Sequence, residues 1–270
     1  MFRKHRRFSL QRLSDGRAMI NLGCGARAAS DWNNIDFSWL NRVGRHPWLC
    51  RWLHKIGLLS DARLERTKHL DPNTLIWNLK YGIPFDDQSA DVVFHSHLFE
   101  HLDRPTGDAF LKECNRVLAP GGVIRIVVPD LEKLARDYLA IMDDPVSEID
   151  IDAHTFATEE IFDQMVRRTP VIRGQQGWVN RVIESTLIGD TDRSGIMHCW
   201  MYDRHSLADA LRRAGFNDVQ VHTHLTSSID DWQDFVLDNE PDGSAYKHSS
   251  LYMEARRPAT ATLDHTREAA

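Results

Sequence analysis

The block "RVLAPGGVIRIVVPD", residues 116–130, constrains this chain most. Residues 123–128 are a nearly continuous β-branched apolar run, the pattern of a strand covered on both faces in a parallel sheet. Pro120-Gly121-Gly122 precedes the run and is expected to stop the helix before it. In that helix Phe110, Leu111, Cys114, Val117 and Leu118 share one face, and Asp103 supplies an N-cap. Asp130 follows the run and caps a second amphipathic helix carrying Leu131, Leu134, Tyr138, Leu139 and Met142. A strand buried on both sides between two helices demands a layered α/β architecture.

The rest of the chain repeats the alternation. "RAMINLGCGA" gives a short strand at 18–22 that runs into glycines, and "DWNNIDFS" a very short one ending at Asp36. "SADVVFHS" is a third strand. "SLADALRRAGF" reads as a helix with Ser206 and Asp209 at capping-box spacing and Gly215 as its stop. "NDVQVHTHL" and "SLYMEARRP" read as closing strands. The whole predicts one domain over 1–270: a mostly parallel α/β sheet with helices on both faces. Its additions are a basic tail at 1–16, helical insertions at 38–72 and 145–200, and a disordered tail at 259–270.

Composition narrows the class. The formal charge of −6 is uneven: residues 1–70 carry 14 Lys/Arg and 5 Asp/Glu, a local +9, leaving −15 for the rest. A basic first quarter suits an acidic glycan, a nucleic acid or a membrane surface, or is simply a solvated face. No nucleic-acid partner is expected. The four cysteines, Cys24, Cys50, Cys114 and Cys199, form no C-x-x-C pair, which fits a reducing cytoplasm. No apolar run approaches a membrane span, and "MFRKHRRFSLQRL" lacks the apolar core of a secretory signal.

"NLGCGA", residues 21–26, falls where a parallel sheet places its ligand, at the carboxyl end of the first strand. Gly23 and Gly25 allow a tight turn and close approach of a bound molecule. The third glycine of the dinucleotide fingerprint is replaced by Ala28, which favours an adenosine site without a pyrophosphate cradle. Asp36 supplies a carboxylate able to accept two ribose hydroxyls. It comes only 11 residues after Gly25, so the first crossover must be short.

"NLGCGA", "IPFDDQSADVVFHSHLFEHL" and "RVLAPGGVIRIVVPD" together resemble the Rossmann-like S-adenosylmethionine-dependent methyltransferases. With "HCWMYDRHSLADALRRAGF", the chain is similar to the bacterial branch associated with surface-polysaccharide pathways. The resemblance spans roughly 18–142 and 198–258. It implies a Rossmann-like, mostly parallel seven-stranded sheet, S-adenosylmethionine as cofactor, Gly23, Cys24 and Gly25 at its methionine end, and Asp36 on the ribose. Asn21 joins that turn, at a place where many relatives carry an acidic residue. Asn78 and Leu79 would meet the adenine, and His95 and Ser96 would leave their strand beside the sulfonium.

"HSHLFEHL", residues 95–102, also spells H-x-x-E-H, an inverted zinc-protease signature. Pro105 and the cap at Asp103 leave only a very short helix for it, and no third ligand stands out, so no metal is expected. Glu100 and His101 read as residues that orient the turn. His97 is a candidate general base, as is His198, with Asp130 the next choice. Trp200 and Tyr202 read as a substrate wall or as core anchors of the insertion before them. Residues 39–55, with Trp39, Trp48 and Trp52 among Arg42, Arg45, Arg51 and Lys55, read as a lid or as a peripheral membrane contact. The expected reaction is methyl transfer to a hydroxyl of a small molecule or glycan precursor in polysaccharide biosynthesis. A metal-dependent hydrolase and a non-catalytic binding domain remain the alternatives.

Overall fold

The computed structural model describes residues 7–143, 150–164 and 198–259. Seven strands form one sheet in the order β3-β2-β1-β4-β5-β7-β6. They are β1 (Met19–Leu22), β2 (Asn33–Asp36), β3 (Leu75–Ile76), β4 (Ala90–Ser96), β5 (Leu118–Pro129), β6 (Asn217–His222) and β7 (Ser250–Arg256). The pairings of β1 to β5 are parallel, whereas β7 runs antiparallel to both its neighbours. This is the Rossmann-like sheet expected from the sequence.

The helices are α1 (Trp39–Gly44), α2 (Pro47–Lys55), α3 (Asp61–Thr67), α4 (Arg104–Val117), α5 (Leu131–Met142), α6 (Ile151–Gln164) and α7 (Arg204–Arg213). Alternation along the strands divides the core. Val93 of β4 and Ile124, Ile126 and Val128 of β5 pack with Phe110, Leu111 and Cys114 of α4 and Leu207 and Leu211 of α7. On the other face Val92, Phe94, Val123 and Val127 meet Trp32, Ile229 and Trp232.

Several local readings are corrected. The helix before β5 ends at Val117, and Leu118 already pairs with Ala90. Pro120-Gly121-Gly122 is therefore a bulge inside β5 rather than the helix stop. Gly121 takes a left-handed φ of 82°, and a Cβ on Gly122 would lie 2.9 Å from the Ala119 carbonyl oxygen. Helix α7 begins three residues early because Asp203, not Ser206, is its N-cap; Ser206 is the reciprocal partner in the box. Asp103 and Asp130 cap α4 and α5 as expected. Residues 7–16 are no tail: the Phe8 amide donates to the Pro84 carbonyl, its ring meets Trp77 edge-on, and Leu13 packs on the sheet. Residues 1–6, 144–149, 165–197 and 260–270, which hold the rest of that tail, most of the 145–200 insertion and the C-terminal tail, lie outside the described residues.

Arg125 sits in the middle of the apolar run of β5 and is fully buried. Its guanidinium donates to Asp238 at 2.7 Å, Glu254 at 2.5 Å and the carbonyls of Thr226 and Thr223. It also stacks over Trp232 at 4.7 Å. Glu254 in turn accepts from Ser227 and from the Ser228 amide and hydroxyl. The charge is thus fully paired, and it pins the segment after β6 to the sheet. Part of the basic first quarter is met within the chain: Arg7 pairs with Asp86, Arg12 with Asp91, Arg17 with Asp15 and Asp231, and Arg27 with Glu240.

Candidate active site

The carboxyl ends of β1, β2 and β4 bring the sequence-predicted residues to one edge of the sheet. Gly23 and Gly25 have φ of 69° and 55°, the left-handed region that glycine enters at little cost. The connection from β1 to β2 contains no helix, so the turn closes directly onto β2. The Gly23 and Cys24 amides both donate to the Ile35 carbonyl, at 2.8 and 3.1 Å. The Gly25 amide donates to Asp36 Oδ2 at 2.9 Å, and Ser38 N donates to Oδ1 at 2.5 Å. Three successive amides are therefore committed inside the protein, and a pyrophosphate would not find the donors it needs here. An adenosine without phosphates suits such a turn.

The neighbours of the turn are well defined. Asn21, expected against the cofactor, is buried beneath the turn and donates to the Arg27 carbonyl and to Asn34 Oδ1. It shapes the loop from below. Cys24 is buried with Sγ 3.8 Å from Thr74 Oγ1, and burial, reinforced by Asp36, pushes its thiol up to about 12. Asn78 lies two residues beyond Ile76, which pairs with Asp36, and its side chain accepts from the Lys80 amide. Leu79 packs onto the core beside it. Helices α1 to α3 occupy the 38–72 segment over the turn: Asn41 Nδ2 donates to the Gly25 carbonyl, and the Arg66 guanidinium lies 3.4 Å from where a Gly25 Cβ would be. Trp48 and Trp52 face outward, 68% and 53% exposed.

His95 corrects the expectation of a residue beside the sulfonium. Strand alternation turns it to the α4 face, where it is fully buried against Phe99 and Phe110. Burial pushes its pKa down to about 4, with Glu100 partly opposing. Ser96, the next residue, is on the other face and partly exposed. His97 leaves the strand with a φ of 49°. Its Nε2 is 3.2 Å from Ser250 Oγ and its Nδ1 is 3.2 Å from Glu100 Oε1. Burial lowers its pKa, and Glu100 opposes the shift. Leu98 follows and packs its side chain onto Gly23, so this turn and the glycine turn touch.

The H-x-x-E-H stretch forms a single 3₁₀ turn, Phe99–His101, too short to be the helix that a protease motif requires. The chain returns to it from far away: the amides of Cys199 and Trp200 donate to the Glu100 carbonyl at 2.7 and 3.2 Å. This brings His198 against His101, the juxtaposition that sequence spacing did not reveal. Tyr202 packs as a core anchor: it is 5% exposed, stacked on Phe99 at 4.8 Å, and burial raises its hydroxyl to about 12. Trp200 lies under the Arg104 guanidinium at 5.0 Å in a groove between α4 and α7. Asp130 uses Oδ1 to accept the Glu132 and Lys133 amides, and burial raises its pKa against those bonds.

A family model described as a methyltransferase domain matches residues 59–126, from before α3 through most of β5. No curated protein matches the chain. Solved structures are similar at low identity. An S-adenosylmethionine-dependent methyltransferase of Archaeoglobus fulgidus is 14% identical over 89% of this chain and 86% of its own, with a TM-score of 0.37. Phosphoethanolamine N-methyltransferase 2 of Haemonchus contortus, solved with S-adenosyl-L-methionine, is 13% identical over 95% of this chain and 50% of its own, TM-score 0.38. Geranyl diphosphate C-methyltransferase of Streptomyces coelicolor A3(2) is 11% identical over 93% and 76%, TM-score 0.36. The family match thus takes in α3, β3, β4 and most of β5, and stops short of the glycine turn and Asp36.

Proposed function

We propose that the protein is an S-adenosylmethionine-dependent methyltransferase that moves the cofactor's methyl group to a hydroxyl of a small molecule or glycan precursor, in the assembly of a surface polysaccharide. The observation that carries this is the place of His97. It stands at the carboxyl end of β4, one residue from the Leu98 side chain that touches Gly23. Methyl transfer to oxygen is an in-line displacement: the new O–CH₃ bond forms as the S–CH₃ bond breaks, and the hydroxyl proton must go to a base. The cofactor supplies the electrophilic methyl group. The chain supplies alignment, a site sheltered by α1 to α3, and an imidazole within reach of the nucleophile. His97 is our first candidate for the base and His198 the second; Asp130 comes third, because its carboxylate caps α5.

The test is transfer of labelled methyl from S-adenosylmethionine to a panel of sugar hydroxyls, amines and thiols. Turnover on a hydroxyl is expected. Turnover confined to amines or thiols overturns the assignment of the acceptor.

A further inference from the structure

We infer that Glu100, His101 and His198 form a binding site for one divalent transition-metal ion of the zinc type. The donor atoms of the three residues all lie within 4.8 Å of one another. Donors held 2.0–2.1 Å from a tetrahedral zinc stand roughly 3.3 Å apart, so small side-chain rotations close the set. Two imidazoles with one carboxylate suit zinc, cobalt, nickel or iron rather than magnesium or calcium.

The carboxylate is the telling member. Glu100 is 1% exposed, yet neither oxygen makes a hydrogen bond of good geometry. The nearest groups are imidazoles, His97 Nδ1 at 3.2 Å and His101 Nε2 at 3.9 Å. Among the described residues no lysine or arginine lies within ion-pair distance of it. A buried carboxylate with open lone pairs costs free energy unless a cation or donors satisfy it. Metal coordination does so directly.

His198 is oriented as metal-bound histidines commonly are. Its Nδ1 is 3.2 Å from the Gln164 carbonyl, which can only accept, so Nδ1 carries the proton and Nε2 keeps its lone pair. The backbone reinforces the approach, because the Cys199 amide donates to the carbonyl of Glu100 itself. His97 stands outside the set, against Glu100 Oε1, where it would orient the ligating carboxylate. Three protein donors leave a coordination position for water or, if the hydroxyl reading above holds, for an oxygen of the acceptor.

The experiment uses the full chain, free of any histidine tag and stripped with chelator. Zinc is titrated by calorimetry, and the cobalt form is examined by visible absorption. Folding is checked by circular dichroism and by S-adenosylmethionine binding. The expected result is one zinc per chain and a cobalt spectrum without a thiolate charge-transfer band. His198→Ala and Glu100→Gln should each weaken zinc by at least about 100-fold, since even an outer partner is worth ~10- to 100-fold. Cys199→Ser should leave it within threefold. Uptake well below one per chain overturns the site, as does unchanged affinity in folded His198→Ala or loss of zinc in Cys199→Ser. If Glu100→Gln fails to fold, His198→Ala, which lies outside the sheet, decides alone. The hydroxyl reading falls separately: stoichiometric zinc with no transfer to any hydroxyl supports the site and removes that acceptor.

Discussion

His198 packs edge-on against His101, with ring centroids 4.8 Å apart and planes crossing at 69°. His97 instead meets Glu100 through Nδ1 and Ser250 through Nε2. The two candidate bases therefore sit in different settings, and kinetics separates them. His97→Ala should lower turnover by ~10²–10⁴ and leave cofactor affinity nearly intact. His198→Ala should mainly raise the acceptor KM. If both variants keep turnover within fivefold of wild type, neither is the base and Asp130→Asn becomes the variant to measure.

Gly25→Val should abolish S-adenosylmethionine binding while the fold persists. The substitution puts a branched side chain at a φ of 55°, facing both the expected ligand and the Arg66 guanidinium. Calorimetry on the folded variant checks it, and unchanged affinity would move the cofactor away from this turn.

Asp36→Ala should weaken the cofactor by about ten- to a hundredfold, the ~1.5–3 kcal/mol of hydrogen bonds to a charged group. The same variant releases the amides of Gly25 and Ser38. Its melting temperature should therefore be read beside its affinity. A loss under threefold would assign the ribose to another group.

Arg125→Met should destabilise the fold by about 3–5 kcal/mol, because Asp238 and Glu254 would be left buried without their cation. Denaturant unfolding measures this. Adding Asp238→Asn and Glu254→Gln should recover a large part of the loss. A single variant within 1 kcal/mol of wild type would show that the network contributes little.

Thiol labelling in the native state should modify Cys199 alone, and slowly. It is exposed, while Cys24, Cys50 and Cys114 are buried. Partial loss of solvent around the sulfur, aided by Asp103, raises the Cys199 thiol, so the fraction of reactive thiolate at neutral pH is small. Rapid labelling of all four without denaturant would contradict the packing around the glycine turn and α4.

Most of the sheet was legible because its strands are apolar runs ended by turn residues. β3 escaped because two residues, Leu75–Ile76, carry no period. The end of α4 was misplaced since proline and glycine punctuate a bulge as readily as a helix stop. The meeting of the Gly23–Gly25 turn with Asp36 followed from local spacing. The facing of His95 could not, because a one-residue shift in where a strand leaves the sheet reverses every side chain. The pairing of Arg125 with Asp238 and Glu254, and of His101 with His198, joins residues far apart in the chain. Only the tertiary path of the segments after α6 and β6 brings them together, and no local pattern encodes it.

The three amides of the glycine turn have a final consequence. Gly23, Cys24 and Gly25 are bonded to β2 with no ligand involved, so the turn is a mould that exists before anything fills it. Solvent deuterium should replace these three protons about as slowly as those of β1, whether or not cofactor is present. On the assignment proposed above, arrival and departure of the cofactor require no ordering of this loop, and the entropy of forming it falls on folding rather than on each catalytic cycle.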